Sequence, residues 1–129
     1  MEKIVVSIQN GLLAEAISQM LTESGDFQPF RVPVGDKKAD LVDTCVTLQA
    51  NILLSEVSYA SSTSVKARLK EAKDLRVKLP DCKIVLLCDE NAAPDMAREV
   101  MLAKKNGHIN AFFYSSVTSK YLLAALIAL

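Results

Sequence analysis

Four polar stretches each follow an apolar run: Gln9-Asn10, Ser55-Glu56, Cys88-Asp89 and Ser115-Ser116. Together they carry amides, carboxylates, a thiol and hydroxyls. Such groups can hold a cation, accept a phosphoryl group or attack an electrophile. A nucleophilic thiol needs a pKa lowered by a nearby cation or a helix N-terminus. Cys88 precedes Asn91, a residue able to cap a helix, but Asp89-Glu90 beside it opposes a thiolate. A small buried side chain is therefore the expectation for Cys88. Cys45 lies on a helical stripe and Cys82 just before a strand, and both are expected to pack. The three cysteines match no zinc spacing, and His108 is the single histidine. It follows Asn106-Gly107 and is expected on a surface turn. Ser115-Ser116 with Thr118 and Ser119 suits an anion at a helix N-terminus, or more simply a cap for the last helix from Ser116 or Thr118. The four glycines, Gly11, Gly25, Gly35 and Gly107, are too scattered for a phosphate-binding loop. There is no acid–base pair with histidine and no Cys–His couple, so neither catalysis nor a cofactor is expected.

These residues owe their positions to alternating strand and helix patterns. Ile4–Ile8 is a β-rich run broken by Gln9-Asn10-Gly11. Leu13, Ala16, Ile17, Met20 and Leu21 then recur at helical spacing up to Gly25. Phe27–Val32 is a second strand, and Pro29 inside it points to an edge or a bulge. The spacing predicts a helix over 36–49, through Leu41, Val42, Cys45 and Leu48. Asn51–Ser55 is apolar on both faces, as central parallel strands are. A loop over 57–63 leads to a helix over 64–79, with Val65, Leu69, Ala72, Leu75 and Leu79 as its apolar stripe. Its other face holds Lys66, Arg68, Lys70, Glu71, Lys73, Asp74, Arg76 and Lys78, and reads as solvated. Lys83–Leu87 is another buried strand. Asn91 and Pro94 open a helix that runs to about Lys105. Ile109–Tyr114 is a fifth strand, and a fifth helix begins at Thr118.

The length of 129 residues suits one domain, 1–129, which is free to be the N-terminal part of a longer chain. Half the residues are hydrophobic, and 15 basic residues balance 15 acidic ones. That neutrality argues against direct nucleic-acid contact, which rests on Lys and Arg. No signal peptide or transmembrane run is evident, and with reduced cysteines a cytoplasmic location is expected. Five strands alternating with five helices imply an α/β fold of three layers, (βα)5, with a parallel sheet. The doubly wound order 2-1-3-4-5 is the expected solution, with ligands at the carboxyl ends of the strands.

At those ends the sequence resembles response-regulator receiver domains, the flavodoxin-like signalling modules that precede a helix-turn-helix in bacterial transcription regulators. The resemblance rests on Lys3–Asn10, Ala50–Val57, Leu79–Leu87 and Asn110–Ser115. It implies a pocket where two acidic residues hold magnesium, and here those positions are Gln9 and Asn10. The phosphoryl-accepting aspartate is replaced by Glu56. Cys88 stands where a Thr or Ser binds the phosphoryl oxygen, and Ser115 where a lysine pairs with it. Phe112 matches the switch aromatic. The Pro-Gly turn after the acceptor is absent. Magnesium needs hard oxygen ligands with carboxylate charge, and amides carry none. The resemblance therefore implies a degenerate pseudo-receiver with no metal.

The expected function is regulatory and non-enzymatic: a phosphorylation-independent receiver acting as a signal-sensing or dimerising module. The alternatives are a flavodoxin-like small-ligand domain and a receiver phosphorylated on an unusual residue. Leu122–Leu129 is eight apolar residues in succession, more than one buried stripe explains. A homodimer through Leu123 and Ile127 is expected, with a partner protein or a DNA-binding output domain outside these residues.

Overall fold

The computed structural model describes residues 1–34, 40–88 and 94–129. Five parallel strands form one sheet: β1 (Glu2–Ser7), β2 (Phe27–Arg31), β3 (Ile52–Val57), β4 (Lys83–Cys88) and β5 (Ala111–Tyr114). Their order is β2-β1-β3-β4-β5, as the alternating pattern predicts. The helices are α1 (Gly11–Ser24), α2 (Leu41–Leu48), α3 (Val65–Lys78), α4 (Pro94–Lys105) and α5 (Ser119–Ile127). A short 3₁₀ turn, Ser61–Thr63, lies in the segment expected to be a plain loop. The helix expected over 36–49 begins only at Leu41, because Asp40 is extended and caps it by accepting from Asp43 N–H at 3.1 Å. Asp36 itself and the capping role of Asn91 lie outside the described residues, as do Gly35, Asp89 and Glu90.

The sheet divides the core in two, because successive side chains of a strand point to opposite faces. Val5, Leu53, Ile84 and Leu86 meet α2, α3 and α4 through Cys45, Ala72, Leu75 and Val100. Ile4, Val6, Leu54, Val85 and Leu87 meet α1 and α5 through Ile17, Leu21, Leu122 and Leu126. The central strands are thus apolar on both faces because both faces are covered.

Local chemistry sets the ends of the elements. Asn10 caps α1 by accepting from Leu13 N–H at 3.1 Å. Gly25, at φ 76°, closes that helix in the left-handed conformation. Ser64 caps α3, and Thr118 rather than Ser116 caps α5, accepting from Tyr121 N–H at 3.2 Å. At the amino end of the sheet, Asn51 Oδ1 accepts from Lys3 N–H at 2.8 Å. Strand β2 is an edge, as Pro29 implied. Val32 N–H donates to Val6 C=O, so the even-numbered residues of this segment turn their donors inward and Pro29 faces outward.

Leu54 is completely buried in a central strand. Leu54→Ala should cost about 2–5 kcal/mol. In urea unfolding the midpoint should fall while the slope stays unchanged.

Candidate functional site

The carboxyl ends of β1 and β3 open into a cavity of about 490 Å³. Its lining includes Gln9, Asn10, Glu56 and Ser115, four of the five pocket positions expected from the sequence. Ser58 and Tyr59 add further polar groups. Leu13, Val57, Leu87 and Met96 form the apolar wall.

The fifth expected residue, Cys88, is not part of that lining. It is buried among the residues that face α2, α3 and α4. It pairs in register with Val57 and Tyr114. Val57 on the same face still reaches the cavity, while Cys88 is packed within the core beneath it and its neighbour Leu87 lines the opening. The other thiols are also sealed. Burial, with help from Cys82 and Glu71, pushes Cys45 up to about 12. Burial pushes Cys82 up to about 11, against the opposing pull of Arg76.

Much of the cavity's polar chemistry is already committed within the chain. Glu56 Oε1 accepts from the Gln9 backbone N–H at 3.0 Å. Asn10 Oδ1 serves the α1 cap. Ser115 N–H donates to Cys88 C=O at 2.8 Å, tying the end of β5 to β4. Among the described residues, the lining holds a single carboxylate. A divalent ion of the magnesium type wants more carboxylate charge than that. Two neutral amides and one half-occupied carboxylate do not fit it.

A residue assigned to the solvated face of α3 proves central instead. Arg68 is only 4 % exposed. Its Nε donates to Glu56 C=O at 2.8 Å, and Nη2 donates to Ser7 C=O at 3.1 Å. Nη1 donates to Ser7 Oγ at 3.1 Å and to Glu71 Oε1 at 3.2 Å. One guanidinium thus joins α3 to the ends of β1 and β3, directly behind Glu56. Burial raises the Glu71 carboxyl above its ordinary value, and the Arg68 charge works against that rise. The signal lies in the spacing. Val65, Arg68, Ala72 and Leu75 fall at intervals of three and four, and all four are buried. Reading Leu69 into the stripe in place of Arg68 hid this.

Phe112 is half-buried against the helical layer. It meets Tyr114 edge-to-face with ring centroids 6.0 Å apart, and Lys104 Nζ lies 6.0 Å from its centroid. On α5, Leu123 is partly buried against the core and is less available to a partner than expected. Ile127 is 53 % exposed and Tyr121 62 %. Met101, Leu102 and Tyr114 add exposed apolar surface on the adjoining α4 and β5.

Arg68→Ala would remove the partner of the half-buried Glu71 carboxylate and of two strand-end carbonyls. We expect a loss of about 3–5 kcal/mol in chemical denaturation. The three thiols should react with a disulfide reagent only after unfolding. Rapid modification of any of them in the native protein at neutral pH would contradict the buried assignment.

No family model matches the chain, and no curated protein matches it in sequence. Its architecture does have relatives among solved structures. A DNA-binding response regulator of the LuxR family from Staphylococcus aureus superposes with a TM-score of 0.75 at 14% identity, over 99% of this chain and 98% of that one. The signal receiver domain of the response regulator NarL from Mycobacterium tuberculosis gives 0.74 at 13% identity, over 98% and 94%. RcsB from Salmonella enterica serovar Typhimurium, bound to promoter rprA, gives 0.71 at 18% identity, over 100% and 67%. These superpositions cover nearly the whole chain, and with the strand order β2-β1-β3-β4-β5 the chain has the flavodoxin-like (βα)5 fold of response-regulator receiver domains.

Proposed function

We propose that this domain is a degenerate receiver that regulates without aspartyl phosphorylation. The observation that carries the reading is that Glu56 is the one carboxylate of the strand-end cavity among the described residues, with one oxygen already bonded to the Gln9 N–H. Phosphoryl transfer depends on positioning and on stabilising charge. Gln9 and Asn10 supply no charge for a metal, and Ser115 supplies none for a phosphoryl group. Nor does Glu56 imitate a phosphorylated acceptor in this reading. It carries less charge than a phosphoryl group and is turned toward its own backbone.

The role is that of a non-enzymatic module within a transcription regulator, with a DNA-binding output domain or a partner protein outside these residues. Likeness to a LuxR-family regulator and to promoter-bound RcsB supports that role. Among the described residues no helix is long and apolar enough to cross a membrane. Homodimerisation through the face of α5, centred on Ile127 with Leu123 at its margin, would cover the exposed Tyr121, Met101 and Leu102. The cavity of about 490 Å³, walled by Leu13 and Met96 and rimmed by Tyr59 and Ser58, offers space for a small neutral ligand as a second form of input.

Incubation with a small phosphodonor and magnesium should leave the intact mass unchanged. An added phosphate would overturn the proposal. Ile127→Asp should preserve the circular dichroism spectrum and shift the sedimenting species to monomer. A wild-type protein that stays monomeric at high concentration would remove the dimer from this reading.

A further inference from the structure

A second concavity, of about 940 Å³, runs along the outer face of α3 toward the turn at Gly107-His108. Its lining includes Lys66, Leu69, Lys70, Lys73, Arg76 and Val77, and among the described residues no carboxylate. These positions recur at intervals of three and four, so they form one stripe of the helix. From Lys66 to Val77 the stripe is about 16 Å long.

Three features set this stripe apart. Among the described residues, Lys66, Lys70 and Lys73 take part in no ion pair, while Glu71 of the same helix is turned inward to Arg68. Arg76 is fixed rather than free: its Nη2 donates to Asn110 Oδ1 at 3.1 Å and its Nε to His108 C=O at 3.3 Å. Val77 is 80 % exposed beside these cations. In a chain of zero net charge, four cations around an apolar strip are a local concentration and not a general property.

We propose that the α3 groove docks an acidic amphipathic segment of a partner protein. Carboxylates at helical spacing would meet Lys66, Lys70, Lys73 and Arg76, and an apolar side chain would cover Val77 and Leu69. Complementary charge would steer the encounter and set the register, and the apolar strip would hold the bound segment. A nucleic-acid backbone would use the cations but leave the apolar strip uncovered. Among the described residues the groove also offers no Phe, Tyr or Trp ring on which a base could stack, and His108 is its one aromatic side chain.

The test is fluorescence anisotropy with a labelled synthetic peptide of about twelve residues, Leu and Glu placed at alternating helical intervals of three and four. Its Glu→Gln analogue and a labelled DNA duplex are run beside it. We expect saturable binding of the acidic peptide that weakens as salt rises. Lys66→Glu combined with Lys70→Glu should weaken it about tenfold, and Val77→Ser should weaken it measurably. Lys120→Glu on α5 should leave it unchanged, and the Gln analogue should not bind. The altered residues, Lys66, Lys70, Val77 and Lys120, all lie on the surface, and the half-buried Leu69 and Arg76 are kept, so folding is not at issue. No binding by the acidic peptide at low salt, equal binding by the Gln analogue, or tighter binding of the DNA would each overturn the proposal.

Discussion

The rest of the structure turns on where Arg68 puts its charge. A guanidinium taken out of water needs nearly all of its donors satisfied, because the cost of dehydrating it is several kcal/mol. Arg68 meets that demand with two backbone carbonyls, one hydroxyl and one carboxylate. Those partners come from three elements that are distant in sequence. Ser7 ends β1, Glu56 lies near the end of β3, and Glu71 is one turn along α3. Meeting the needs of one side chain therefore fixes the spacing of two strand ends and the height of a helix above them. Arg68 also leaves a fixed positive charge behind the cavity, held by bonds to the main chain.

The cavity is best understood against that support. A pocket built to capture a divalent ion must keep several acidic groups close together and unbonded until the ion arrives. Here the strand ends are held by internal hydrogen bonds instead. Glu56 closes onto the Gln9 N–H, Asn10 closes onto its own helix, and Arg68 draws in the carbonyls of Ser7 and Glu56. Each of these contacts occupies a donor or acceptor at or beside the strand ends. The result is a recess whose shape persists while its charge is largely spent.

Much of this could be read from the residues alone. The apolar runs at Ile4–Ile8, Asn51–Ser55 and Lys83–Leu87 are strands because two covered faces demand unbroken hydrophobicity, and they lie within a residue or two of the observed β1, β3 and β4. Periodicity likewise placed α1, α3 and α5. Of the five strand-end residues, four share the cavity, and Cys88 does not. Counting residues from the end of a run locates a position along a strand but not whether its side chain reaches the opening or is packed beneath it, and Val57 and Cys88, paired on one face, differ in just that way. Arg68 was hidden for a different reason. Arginine is rarely fully buried, so its type outweighed its spacing. Only the partners Ser7, Glu56 and Glu71, brought together by the fold, make that burial tolerable. Leu123 shows the same limit, since the tilt of α5 decides how far a second row of side chains reaches the core.

Strand β2 carries a further consequence. Among the described residues no strand pairs with its outer rim, and an unpaired strand rim invites a second chain to add itself by main-chain pairing. A protein with balanced charge has little repulsion to keep copies apart. Pro29 sits mid-strand with its nitrogen turned to that rim, where it presents a ring and no hydrogen. The ladder a newcomer would need is thus missing a rung at its centre, so unwanted stacking into fibrils is discouraged by covalent structure, at any pH or ionic strength.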